Sequence, residues 1–154
     1  MSKIFMRPVF SEDIVYQVER AYRANMDAYT RKKREVDAFL AECVQEHEVC
    51  LLFYYAHMHV NDVVSFSVEQ IDAYVNATLE AYELLPNLRS LPEEIFFSYV
   101  LAYRVNDEHL DGSRAALLHA LLPRVREKNA YDTVLEVNRW CCEQASYMPS
   151  DTRT

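Results

Sequence analysis

Two adjacent cysteines, Cys141 and Cys142, are the residues of this sequence best suited to covalent chemistry, because a thiolate is a strong nucleophile. Cys141 is spaced from Val134, Val137 and Ala145 as residues on one helix face are. We therefore expect it on the buried face of a helix, where cysteine packs as a small apolar residue. The pair is predicted to be structural rather than catalytic.

A second set of chemically capable residues, Cys43, His47 and Cys50, stands at i, i+4 and i+7 and would share one helix face. Thiolate and imidazole groups are ligands that zinc prefers. His57 and His59 could not both join one metal, because side chains two residues apart on a helix point about 200° apart. Cysteines on helices more often pack in cores. We therefore expect neither a metal nor a cofactor, and a small zinc-binding regulator is the alternative.

The charge of the chain bears on its partners. The formal net charge is −8, and acidic residues flank the basic run at 31–34. Nucleic acids and anionic membranes bind basic surfaces, so we expect neither partner and interpret the run as a solvated helix face. No stretch approaches the ~18 apolar residues of a membrane-spanning helix. We predict no signal peptide, free thiols at all four cysteines, and a cytoplasmic location.

Glycine is nearly absent, since Gly112 is the only one among 154 residues. Glycine-rich phosphate loops and tight β-hairpins both need glycine, so the composition favours helices. Apolar residues repeat at helical spacing in six segments, several of them preceded by helix-start signals. The predicted helices begin near Ser11, Val36, Ser67, Pro92, Ser113 and either Asn129 or Asp132.

These segments predict a single all-α domain over residues 1–154, an irregular bundle of five to six helices. The apolar stripe from Val36 to Tyr55 predicts one long helix, central in the bundle because it is apolar on more than one face. Asn61 and Asp62 predict a break after it. Pro123 predicts a kink or an early stop in the fifth helix.

Three stretches, in this order and spacing, resemble one family. They are LLFYYAHMHVNDVVSF at 51–66, LPEEIFFSYVLAYRVNDEHLDGSR at 91–114 and VNRWCCEQASYMPSDTRT at 137–154. The second and third are long, unusual strings, whereas the first is weaker. Together they are similar to the region upstream of the core in bacterial transglutaminase-like proteins, a family that includes proteins described as cysteine proteases. The resemblance covers about the last hundred residues.

The resemblance implies an enzyme whose active site this chain does not contain. The family uses a Cys-His-Asp triad in a papain-like core, with the cysteine at a helix start and a thioester intermediate. In the family the nucleophile lies some tens of residues beyond the segment that matches 150–154. We therefore expect residues 138–154 to be the lead-in to a core that this chain lacks, in a longer protein, and we expect no catalytic residue here.

The resemblance also implies where the chain would meet that core. The polar string at 103–108 is expected to form a network with Arg114 and to brace the helices against the core, with an ordinary acidic loop as the alternative. The residues expected at the contact between domains are Tyr103, Arg104, Asn106, Glu108, Arg114, Asn138, Trp140, Tyr147, Asp151 and Arg153. We expect the chain to pack on the core, to be inactive alone, and to form a homodimer through residues 131–147 when the core is absent. A stand-alone helical adaptor is the alternative function.

Overall fold

The computed structural model describes residues 7–102 and 114–145, and in these ranges the chain is helical with no β-strand. The all-α fold class is confirmed, and the helices are more finely divided than predicted. The α-helices are α1 (Glu12–Met26), α2 (Thr30–Leu40), α3 (Gln45–His57), α4 (Val60–Ser65), α5 (Val68–Leu84), α6 (Glu93–Ile95), α7 (Arg114–Val125) and α8 (Ala130–Gln144). A 3₁₀ helix covers Pro86–Ser90, and α6 continues directly into a π-helix at Phe96–Leu101.

Helix α3 is the centre of the bundle. Seven of its thirteen residues are buried, and they lie on all sides of the helix rather than along one stripe. Helices α1 and α5 pack against it, and α1 contributes Val18, Tyr22 and Met26 at four-residue spacing. The side-chain amide of Asn25 donates to the carbonyl oxygens of Tyr55 and Met58, at 2.7 and 3.1 Å. This amide therefore satisfies free carbonyls at the end of α3, which a helix terminus leaves without partners.

Side-chain caps begin the helices where the sequence predicts them. The Ser67 hydroxyl accepts from the Gln70 backbone N–H at 3.1 Å, and the Gln70 side chain accepts from the Ser67 N–H at 2.9 Å. This reciprocal pair is the predicted capping box. The Asn129 side chain accepts from the Asp132 N–H at 2.8 Å and starts α8. The cap confirms the earlier of the two predicted start positions for this helix.

The prediction of one long helix from Val36 to Tyr55 is wrong. Helix α2 ends at Leu40, and a turn over residues 41–44 separates it from α3. In that turn the Cys43 N–H donates to the Leu40 carbonyl at 3.0 Å, and Val44 is extended. Because of this break, the two helices differ in direction and in burial. Helix α2 buries only Val36 and Leu40, whereas α3 buries residues on all its sides at the centre of the bundle. Periodicity did not reveal the break because both helices carry apolar residues at compatible spacing.

The predicted break at 61–65 is correct in separating α3, which ends at His57, from α5, but these residues themselves form the short helix α4. The His59 ring accepts from the Asn61 N–H at 3.3 Å and caps α4, a role that the sequence pattern did not assign to a histidine.

Helix α7 passes through Pro123 and ends two residues later, at Val125. Among the described helices, none combines the length and the apolar character needed to cross a bilayer.

The adjacent residues Tyr54 and Tyr55 of α3 form a matched pair for testing buried hydroxyls. Both rings are fully buried. The Tyr54 hydroxyl donates to the Leu101 carbonyl, whereas the Tyr55 hydroxyl has no hydrogen-bond partner among the described residues. A buried hydroxyl without a partner destabilises the fold, and a bonded one stabilises it.

We predict opposite effects when each tyrosine is replaced by phenylalanine. Tyr54→Phe should lower the free energy of unfolding by about 1–2 kcal/mol, because it leaves the Leu101 carbonyl short of a donor. Tyr55→Phe should leave stability unchanged or raise it by up to about 1 kcal/mol, because it removes an unsatisfied group. Urea denaturation of both variants is the measurement. Equal losses in the two variants would contradict the assignment.

Candidate functional site

The Arg114 guanidinium joins α7 to α3, to α5 and to the end of the π-helix, and its contact with α3 is to the Tyr54 hydroxyl at 3.5 Å. Nη1 donates to the Leu101 carbonyl at 3.2 Å and to the Thr78 hydroxyl at 3.3 Å, and Nη2 donates to the Ala102 carbonyl. The guanidinium also lies over the Tyr74 ring, 5.1 Å from its centre. A planar cation suits this position, since it carries several donors in a fork and stacks on aromatic faces.

The same contacts hold together both ends of the segment 103–113. Leu101 and Ala102 immediately precede the segment, and Arg114 immediately follows it. Arg114 was predicted to belong to a polar network, and the structure places it in one whose described partners all lie within this chain. The other predicted members, Tyr103, Arg104, Asn106 and Glu108, lie outside the described residues.

Helix α8 turns a face that is part polar and part apolar toward the rest of the chain. Arg124 of α7 lies 2.9 Å from Glu143 and 3.7 Å from Glu136, and Arg139 lies 3.2 Å from Glu136. The Glu136 side chain is 15% exposed, which makes it one of the better covered groups on the helix. Of the fifteen residues of α8, all of them described, none is buried. The helix is therefore held by ion pairs to Arg124 and also by the partial burial of its Val137 and Trp140 side chains.

The apolar side chains of α8 face solvent instead. Tyr131 is 73% exposed and Val134 is 67% exposed, and Leu135 is exposed as well. Cys141 and Cys142 are also exposed free thiols. The prediction that Cys141 lies on a buried face is therefore wrong. Periodicity correctly grouped Cys141 with Val134, but the covered side of α8 is the neighbouring face, which carries Glu136, Val137 and Trp140.

Two residues predicted to contact a second domain, Asn138 and Trp140, lie on α8. Asn138 is exposed, whereas Trp140 is partly covered. The remaining predicted contact residues, Tyr147, Asp151 and Arg153, lie outside the described residues. The described part of the predicted contact surface is therefore the C-terminal half of α8 together with Arg114.

A separate cleft of about 470 Å³ brings together a thiol, an imidazole and a carboxylate. His47 and Asp72 form a partly buried pair between α3 and α5, and the second Asp72 oxygen accepts from Asn76 at 3.0 Å. Cys43 lines the same cleft. Sequence spacing did not indicate the pair, because Asp72 lies 25 residues beyond His47.

These residue types match a cysteine-hydrolase triad, but their environment does not activate the thiol. Partial burial raises the pKa of Cys43, and the nearby carboxylates of Asp72, Glu48 and Glu42 raise it further. The thiol donates to the Phe39 carbonyl at 3.4 Å. A cysteine nucleophile needs the opposite, a lowered pKa beside a cation.

The alternative zinc site at Cys43, His47 and Cys50 is not assembled either. Cys50 is fully buried in the core, and burial raises the pKa of its thiol well above the usual range. Within the described residues, no three histidine, cysteine or acidic side chains come together in a group that could hold a metal ion.

Another cleft, of about 510 Å³, lies between α1, α2 and α3. On one side the Tyr22 hydroxyl donates to Asp37 at 2.6 Å, and Lys33 donates to the other Asp37 oxygen at 2.6 Å. On the other side Glu19 and Glu48 both line the cleft. Burial raises the pKa of Glu48, and the negative charge of Glu19 raises it further. The cleft is thus a mixed polar groove with one unfavourable acidic pair.

The basic run at 31–34 is partly committed to the fold. The Lys32 ammonium donates to the Phe66 carbonyl at 2.9 Å, at the end of α4. Lys33 is paired with Asp37. Arg31 and Arg34 remain exposed. Two of the four cations of the run are therefore engaged in contacts within the chain.

Comparison with protein-family models, with curated proteins and with solved structures gives no match to this chain. The proposed function therefore depends on which side chains of this chain are exposed and which are buried.

We predict that Arg114→Leu lowers the free energy of unfolding by about 2–4 kcal/mol, because it leaves several part-buried acceptors without their charged donor. Arg114→Lys should cost less, since it keeps the charge but loses the fork. Chemical denaturation is the measurement, with Arg126→Leu, an exposed arginine beyond α7, as the control. An Arg114→Leu variant as stable as the parent would contradict this account.

A second prediction concerns pH. The folded state disfavours the Glu48 carboxylate, so the group lowers stability at pH 7 and this loss is relieved as the pH falls through its raised pKa toward the unfolded value of 4.5. Glu48→Gln should therefore raise the melting temperature at pH 7 by about 1–2 °C, as expected for a partly exposed site. The gain should shrink toward pH 4.5. Glu69→Gln on α5 controls for net charge, and a gain of the same size there would contradict the local explanation.

Proposed function

We propose that this chain is the helical domain of a transglutaminase-like protein, packing on the catalytic core through α8 and supplying no catalytic residue. The observation that carries the proposal is the orientation of α8. A helix with Tyr131 and Val134 facing solvent and Glu136 facing its neighbour leaves an apolar surface to be covered. Contiguous exposed apolar surface commonly marks an interaction site.

The location of the family-like stretches supports the same surface. The stretch 137–154 begins within α8, and the stretch 91–114 ends at Arg114, the first residue of α7. Helices α7 and α8 pack on each other. The two most specific strings of the resemblance therefore start and end on one helical hairpin, the hairpin that carries the exposed apolar surface.

The chemistry would belong to the core. Among the described residues of this chain, the cysteine nearest a histidine–aspartate pair is Cys43, whose thiol is held protonated by burial and by carboxylates. The proposed core would bring its own cysteine, histidine and aspartate, and would act on glutamine amides or peptide bonds through a thioester. The four free thiols fit a reducing compartment, and we propose the cytoplasm.

A stand-alone helical adaptor is the second candidate. The observation that favours it is the exposed apolar side chains of α8, because the apolar face of a helix from an unrelated protein could dock on them. The gene sequence beyond codon 154 distinguishes the two candidates. A reading frame that continues into a cysteine at a helix start, then a histidine and an aspartate, supports the enzyme. A stop codon at that point overturns it.

We predict that the separately expressed core binds the 154-residue chain, and that Val134→Asp weakens this binding at least tenfold, about 1.4 kcal/mol. A charge placed on the α8 surface would be desolvated at the contact. Isothermal titration calorimetry is the measurement. Val64→Asp is the matched control, because Val64 on α4 and Val134 are both 67% exposed.

The same preparation tests the absence of catalysis. The 154-residue chain alone should form no thioester with a glutamine-peptide probe, as judged by the intact protein mass. A mass increase equal to the acyl group, lost on replacing one cysteine by serine, would show that this chain carries a nucleophile and would refute the assignment.

A further inference from the structure

The exposed surface of α8 has the spacing of a helix-pairing seam. We name the residues Tyr131, Val134, Asn138, Cys141 and Ala145 the α8 seam; they alternate steps of three and four, and all are exposed. Leu135 and Cys142 stand beside it and are exposed as well. Steps of three and four place side chains along the line where two helices meet in a coiled coil. The seam spans four turns, about 21 Å.

The charges of α8 lie away from this seam. Glu136 and Glu143 are paired with Arg124, and Arg139 is paired with Glu136, all on the side that faces α7. The positions that flank a seam, where a coiled coil usually carries its charges, hold Ala130, Leu135, Val137, Cys142 and Gln144. A second copy of the same helix can therefore approach without bringing like charges together.

Asn138 lies at the middle of the seam and has a side chain that complements itself. An asparagine amide both donates and accepts hydrogen bonds, so two copies can bond to each other. A single asparagine at such a position favours a parallel, in-register pair of helices, because other registers leave it opposite an apolar residue. In that register Val134 faces Val134 of the second copy and Cys141 faces Cys141.

We propose that the occupant of the α8 seam in the 154-residue chain is a second copy of this chain, paired in parallel with Asn138 at the centre. This inference shares with the proposed function only the surface that it uses. Self-pairing and binding of the core would cover the same residues, so they exclude each other. A four-turn contact is small, below the ~1,200 Å² of stable complexes, and pairing is therefore weak and dependent on concentration.

The first arm of the test measures the mass of the reduced chain by sedimentation equilibrium from about 10 µM to 1 mM, the range expected for a small interface. The parent chain should shift from monomer to dimer across this range. Val134→Asp should remain a monomer, and the equally exposed Val64→Asp should dimerise as the parent does. A monomeric parent at every concentration, or a dimer that Val134→Asp leaves intact, overturns the proposal.

The second arm tests the register by disulfide trapping in a Cys43→Ser, Cys142→Ser background. Diamide takes two electrons and two protons from the two facing Cys141 thiols, forming one S–S bond and the reduced hydrazine. A covalent dimer is expected, and it should vanish in Cys141→Ser. No covalent dimer under conditions where the chain is dimeric overturns the parallel register, because in an antiparallel pair each Cys141 faces a different position of the second helix.

The two proposals fail separately. A chain that stays monomeric but still binds the core overturns self-pairing and leaves the proposed function standing. A chain that pairs through Cys141 but binds no core, or binds it without dissociating the dimer, overturns core docking through α8 and leaves self-pairing standing.

Discussion

The arrangement of the bundle depends on one cation, the Arg114 guanidinium. It donates to the carbonyls that end the π-helix, to the Thr78 hydroxyl of α5 and to the Tyr54 hydroxyl of α3, and it stacks on Tyr74. Each of these groups would otherwise be a polar atom with poor access to water, and such atoms destabilise a fold. A single planar side chain satisfies several of them at once. The position of α7, and of α8 behind it, depends on where this cation is held.

The two parts of the molecule on either side of Arg114 are stabilised by different interactions. Helices α1 to α5 surround an apolar centre formed by α3, which includes buried tyrosines. Helices α7 and α8 contribute one fully buried residue, Val125, and they also make polar contacts such as the one between His119 and Glu80 at 3.1 Å. Exposed ion pairs are individually weak. An apolar partner on α8 would therefore add much to the stability of a region that has little of its own core.

Features that depend on neighbouring residues were predicted correctly from the sequence, whereas features that depend on how distant helices pack were not. The caps at Ser67 and Asn129 arise from a hydroxyl or amide placed before a helical stripe, so sequence spacing was sufficient. The turn at 41–44 and the His47–Asp72 pair depend on how α3 meets α5, and periodicity carries no such information. The orientation of α8 is the clearest case. Spacing identified the face shared by Val134 and Cys141, but it did not indicate that the neighbouring face, with Glu136, Val137 and Trp140, would be the covered one.

The closure of the segment 103–113 by Arg114 has a consequence for chain connectivity. Because the guanidinium bonds to Leu101 and Ala102 on the far side of the segment, α7 is held to the bundle by its own side chain as well as by the peptide backbone. Asn87 adds a second tie, donating to the Lys128 carbonyl at 3.2 Å between α7 and α8. The α7–α8 hairpin is thus connected to the bundle by side-chain hydrogen bonds at both ends of α7, in addition to the peptide backbone.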